Sequence, residues 1–165
     1  MAPTQTWDTA FFRQAQSNFA VFDLLQQADE VPLCHRLHYL QMGAEKVAKA
    51  YLSRHHRAAP NRTHDALVDF LLWASLNSGF RQAFGATNPG ASFTRYVRSM
   101  LSVAERVQAL SPEGDDHPNP EYPWLNPRHE IESPLDYPFV DLNPDLNREV
   151  LRLVEFLRAC VEIDF

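Results

Sequence analysis

Leu33, Leu37, Leu40, Ala44, Val47 and Tyr51 step by four, three, four, three and four along the chain. Only a helix places residues with that spacing on one side. The resulting seam must be buried against other helices. Pro32, just before the seam, suits the first turn of such a helix. The spacing therefore predicts a long helix with one continuous apolar side, and the rest of the chain can be read around it.

An earlier helix runs from about Trp7 to Ala28, with Phe11, Ala15, Phe19, Phe22 and Leu25 on its apolar face. A third starts near Thr63, a suitable N-cap, with Asp65 in its first turn. Leu67, Phe70, Leu71 and Ala74 form its face, and Gly79 interrupts it. After the turn Asn88-Pro89-Gly90, a fourth carries Phe93, Val97, Met100, Ala104 and Val107 in register. Asn143-Pro144 opens a fifth, with Leu146, Val150, Leu153, Val154, Leu157 and Val161 on one side. No segment keeps a period-two alternation, so no sheet is expected. The expected fold is all-α: an antiparallel bundle of about five helices.

Between the fourth and fifth helices the chain changes character. Residues 1–110 hold eleven basic and eight acidic residues, residues 111–145 one and nine, and residues 146–165 three and four. The overall charge of −6 thus hides a basic helical part and a strongly acidic stretch. Eight of the twelve prolines also fall in 111–145. Proline fixes φ and lacks an amide donor, so this stretch reads as irregular and extended. Its Tyr122, Trp124, Leu135, Tyr137, Phe139 and Val140 set it apart from a disordered linker and predict that it wraps the domain. One domain over 1–165 is expected, made of a four-helix part (7–110), an acidic Pro-rich wrapping segment (111–142) and a C-terminal helix (143–163).

Two cysteines, Cys34 and Cys160, cannot build a disulfide framework and suit a reducing compartment. No apolar run approaches the ~18 residues of a membrane span, and no secretory signal is legible at the N-terminus. A cytoplasmic protein with no membrane partner is expected. His35, His38 and Glu45 can share neighbouring parts of one helix face, but no matching Glu-x-x-His pair stands on another helix, so no metal site is expected. Cys34 lies one turn from His38, yet a free cysteine is most often a small buried apolar residue. No Gly-rich phosphate loop, serine elbow or paired-cysteine zinc spacing is present, and no cofactor is expected.

The densest polar cluster is Arg54-His55-His56-Arg57-Ala58-Ala59-Pro60-Asn61-Arg62-Thr63-His64, with three Arg, three His and no acid. Such a run is either a solvated loop or an anion site, because guanidinium groups pair with phosphate in bidentate fashion. Just upstream stand Lys46 and Lys49, the only lysines of the chain. Arg54, Arg57, Arg62, Lys46 and Lys49 are therefore the candidate anion-binding residues. Glu45 and Lys49 form an i, i+4 pair, worth ~0.3–0.5 kcal/mol on an exposed helix surface. Gly43 in mid-helix costs about 1 kcal/mol relative to Ala, which a close helix approach would account for.

The text His38-Tyr39-Leu40-Gln41-Met42-Gly43-Ala44-Glu45-Lys46-Val47-Ala48-Lys49-Ala50-Tyr51-Leu52, followed by Thr63-His64-Asp65-Ala66-Leu67-Val68-Asp69-Phe70-Leu71, resembles the bacterial branch of the HEPN superfamily (higher eukaryotes and prokaryotes nucleotide-binding domains). The likeness is specific over residues 38–71 and extends in helical layout over about 8–110. It implies a bundle that often dimerises and that binds RNA, nucleotide or a protein partner encoded nearby, in bacterial defence, stress or toxin–antitoxin systems. Some members are metal-independent RNases carrying an Arg and, after four to six intervening residues, a His. Arg57 and His64, with six residues between, match that spacing. The resemblance then implies that Arg57 holds the scissile phosphate and that His64 moves a proton. Ala58 follows Arg57 where catalytic members carry a polar residue. The leading expectation is therefore a non-catalytic binding module. The alternatives are a dimeric RNase using Arg57 and His64, and a purely protein-interaction bundle recognised through its acidic segment.

Overall fold

The computed structural model describes residues 6–56, 64–85, 90–111 and 117–163. Helices dominate it: α1 (Trp7–Gln26), α2 (Leu33–His56), α3 (Ala66–Leu76), α4 (Ser78–Ala83), α5 (Gly90–Arg98), α6 (Leu101–Gln108) and α7 (Arg148–Glu162). The all-α bundle read from the seam is what the chain forms.

Helix α2 is the axis of the bundle, packed against α1, α3, α6 and α7. Leu37, Leu40, Ala44, Val47 and Tyr51 are all buried, as their spacing demands. The opposite rows are buried too. Gln41, Glu45, Lys49 and Ser53 step by four and form a polar row inside the protein. Ala44, Ala48 and Ala50 are fully buried beside it. Small side chains of this kind let neighbouring elements close around a helix on several sides.

Helix α1 runs antiparallel to α2. Asp8 reaches Arg54, the Phe12 ring lies 5.1 Å from that of Tyr51, and Phe19 meets Gly43. At Gly43 a Cβ would stand 3.2 Å from Phe19 Cζ. The glycine is therefore explained by a close approach, of a ring rather than a backbone. Gly43→Ala is expected to be nearly neutral, because a shift of the ring offsets the gain in helix propensity of about 1 kcal/mol. Gly43→Val is expected to destabilise by roughly 1–3 kcal/mol in urea unfolding, since its extra methyls have nowhere to go.

A second layer gathers around the Tyr51 ring. Phe70 stacks on it at 5.0 Å, and Phe80 meets it edge-on at 5.2 Å. From Phe80 the ring contacts pass to Phe84, Phe93 and Phe156, which joins α7 to the core. The Tyr51 hydroxyl donates to the Cys160 carbonyl oxygen at 2.7 Å.

Several boundaries differ from expectation, each for a local reason. Helix α3 begins at Ala66, with Asp65 at the N-cap position, while Thr63 lies outside the described residues. Its break comes at Asn77, not at Gly79. The Asn77 side chain accepts from Phe80 N at 2.8 Å and so caps α4. The expected fourth helix divides at Ser99–Met100 into α5 and α6, although Phe93, Val97, Met100, Ala104 and Val107 are all buried as expected. Helix α7 starts at Arg148 behind an Asn147 cap, leaving Leu146 exposed.

Contrary to the expectation of no sheet, Trp124–Leu125 (β1) and Ile131–Glu132 (β2) pair antiparallel, Trp124 opposite Glu132 and Leu125 opposite Ile131. Behind them Trp124, Tyr137 and Phe139 form a ring cluster that seats the segment on the core. Asn119 is buried, and its Oδ1 accepts from the amides of Glu121 and Tyr122, which turns the chain into β1. Trp124 and Phe139 thus tuck inward as expected, whereas Tyr122, Leu135 and Val140 are exposed.

Candidate functional site

Gln41, Glu45, Lys46, Lys49 and His64 come together in one cluster. Glu45, 3% exposed, stands at its centre. Its Oε1 accepts from Lys49 Nζ at 2.5 Å and from Lys46 Nζ at 3.1 Å. Its Oε2 lies 2.8 Å from His64 Nδ1 and accepts from Gln41 Nε2 at 3.3 Å. Gln41, Glu45 and Lys49 meet because a step of four returns to the same helix face. His64 stands two residues before the start of α3.

Burial alone would raise the carboxyl group of Glu45. The hydrogen bonds from Lys49 and His64, with the charge and hydrogen bond of Lys46, prevail and hold it at about 2. Glu45 is therefore a carboxylate and can only accept. It follows that Nδ1 of His64 carries the proton in that bond. In the neutral ring Nε2 is then the acceptor. The imidazole is oriented by a buried charge while its side chain remains 40% exposed.

The Glu45–Lys49 pair is thus not the exposed surface pair its spacing suggests; Lys49 is buried as well. Two ammonium groups share one carboxylate, so the cluster keeps a positive charge. Lys46 is only half-buried, and an ammonium has three donors. Arg54 is placed apart from the cluster. Its Nε donates to Asp8 Oδ2 at 2.7 Å and its guanidinium lies over the Phe12 ring. Arg57 and Arg62 lie outside the described residues.

An open groove of about 420 Å³ begins at His64 and is lined also by Asp65, Glu105, Gln108, Ala109, Ser111 and His117. Gln108 Oε1 accepts from Val68 N at 3.1 Å, satisfying a first-turn donor of α3 and fixing α6 against it. His117 Nε2 lies 3.2 Å from the Ser111 carbonyl oxygen. No local pattern in the chain points to His117, Glu105 or Gln108 near this site; their approach depends on how α6 crosses α3.

The other histidines and the cysteines have separate settings. His38 Nδ1 lies 3.0 Å from Glu121 Oε1, and Arg36 donates to Asp145 at 2.8 Å, so the acidic segment engages the N-terminal half of α2. His35 is exposed. Among the described residues, no group of three or more His, Cys, Asp and Glu side chains could hold a metal ion. Burial pushes the Cys34 thiol up, and it pushes that of Cys160 up much further. Both thiols are expected to react with a disulfide reagent only at the rate of unfolding, with no fast phase in the native protein. Among the described residues no helix is long and apolar enough to cross a membrane.

Comparison with protein-family models, with curated proteins and with solved structures finds no match for this chain.

Proposed function

We propose that this chain is a HEPN-like helical module that binds RNA or nucleotide phosphate where α2 ends and α3 begins, in a bacterial defence, stress or toxin–antitoxin type of system. The observation that carries the reading is the charge of that region. Lys46 and Lys49 share a single carboxylate, and the chain continues directly into a run with Arg54, Arg57 and Arg62 and no acid. Guanidinium and ammonium groups suit phosphate oxygens. The acidic segment ties instead to Arg36 and His38, near the opposite end of α2. Fluorescence anisotropy with an unstructured RNA is expected to give binding that weakens steeply with salt and is competed by mononucleotide. Binding indifferent to salt would point to a protein partner.

The setting of His64 favours a second reading, a metal-independent RNase acting as a dimer through Arg57 and His64. Glu45 holds the His64 ring through Nδ1, and His64 lines the groove, a setting that suits proton transfer. RNA cleavage in the presence of a chelator, lost by about two orders of magnitude or more in His64→Ala, would establish it. Equal cleavage by both proteins would exclude it.

A further inference from the structure

The β1–β2 hairpin presents an apolar pair that the helical fold leaves uncovered. Leu125 and Ile131 stand directly opposite each other, 42% and 78% exposed, while Trp124 on the other face is buried. Side chains alternate across a strand, so Leu125 and Ile131 share the outward face. Opposed pairs of this kind are close enough to act as one apolar unit.

The hairpin is also held rigid. A ladder of two residues on each side is too short to persist by itself. Here Asn126 Oδ1 accepts from the amides of Arg128 and Glu130 at 2.8 and 3.0 Å. Its Nδ2 donates to Glu130 Oε2 at 3.1 Å and Glu132 Oε1 at 3.0 Å. His129 is held at φ 60° and Phe139 at φ 41°, left-handed values that non-glycine residues keep only where their surroundings impose them. The segment is therefore pre-organised, which lowers the entropy cost of docking. Its charge names the kind of partner. Arg128 is the one basic residue of 111–145 against nine acids, and Glu130, Asp136 and Asp141 are exposed.

We infer that the outward face of the hairpin is a docking surface for a basic protein segment that carries apolar side chains. Leu125 and Ile131 supply the apolar contact, and the acidic balance of the segment, with Glu130 and Glu132 in the hairpin itself, selects for positive charge and against nucleic acid. The hairpin shares no residue with the cluster around Glu45, so its substitutions test this surface without touching the proposed phosphate site.

The test uses the full chain and short synthetic peptides: alternating Lys and Leu, alternating Lys and Ser, and alternating Glu and Leu. The Lys/Leu peptide is expected to bind roughly tenfold or more tightly than either control, with affinity falling as salt rises. Ile131→Ser, and Leu125→Ser with Ile131→Ser, are expected to lower that affinity by roughly tenfold or more while the melting temperature stays within a few degrees of wild type. Equal binding of the Lys/Ser peptide would overturn the inference, since charge alone would then explain it. So would affinity unchanged by Ile131→Ser, the substitution at the more exposed position. Reversible dimerisation of wild type in sedimentation, abolished by the same substitutions, would overturn it in favour of a second copy of the chain.

Discussion

Glu45→Ala is expected to lower the stability of the protein by about 3–5 kcal/mol, because it strands the buried Lys49 ammonium without its carboxylate. For a domain of this length that corresponds to a fall in melting temperature on the order of 10 °C. The test of the cause is the double substitution Glu45→Met with Lys49→Met. Removing both charges from an interior site and filling it with apolar volume is expected to recover most of the loss. If Glu45→Ala melts with the wild type, the network is not buried in solution.

The same carboxylate fixes a pH dependence. The folded protein holds Glu45 at about 2, below the ordinary value of 4.5. A depressed carboxyl group contributes stability above its unfolded value and loses it as pH falls through its folded value. The contribution is therefore complete above about pH 5 and lost on the way down to about pH 2, with a size of roughly 3 kcal/mol. Gln41, Lys46, Lys49 and His64 are the groups bonded to the carboxylate across that window. Glu45→Ala is expected to flatten the acid limb of a stability-against-pH curve relative to wild type.

The second large effect concerns ligand binding. Replacing Arg57 and Arg62 together by Gln is expected to weaken RNA binding on the order of tenfold, uniformly across sequences, as removal of phosphate-binding cations does. A melting curve of the same variant separates lost binding from lost fold: a midpoint near that of the wild type assigns the loss to phosphate contacts.

How much of this was legible in the sequence depended on periodicity. The seam of Leu37, Leu40, Ala44, Val47 and Tyr51 could be read because one buried face repeats at the helical period. The burial of Gln41, Glu45 and Lys49 could not. A polar i, i+4 row looks the same whether it faces water or neighbouring helices. The flanking Gly43, Ala44, Ala48 and Ala50 were the available sign that other elements close in on every side. The break at Asn77 was written in the chain, since Asn followed by Ser is a cap, but Gly79 two residues on was the more conspicuous breaker. The division at Ser99–Met100 has neither Gly nor Pro and follows from packing. The hairpin escaped because two-residue strands are shorter than any alternation that can be recognised.

The candidate site divides in the same way. Type and spacing single out His64 and the two lysines, whereas their common partner Glu45 reads as one half of a helix pair, or as a neighbour of His35 and His38, and not as the centre of a cluster. What linked them was distance in space: 2.8 Å from Glu45 to a histidine nineteen residues on. The groove beyond His64 brings in Glu105, Gln108 and His117 from parts of the chain that share no local pattern with α2.

Phosphate recognition at the end of α2 stands or falls on the salt dependence of RNA affinity. Binding of an unstructured RNA is followed by anisotropy between about 50 and 200 mM salt for wild type and for the Arg57→Gln, Arg62→Gln double variant. A linear fall of log K with log salt is expected in the wild type. In the variant the slope is expected to be shallower by about 1.4, because each single-strand phosphate neutralised by the protein accounts for ~0.7. Identical slopes for the two proteins, or a wild-type affinity that salt leaves unchanged, would refute phosphate recognition at this site.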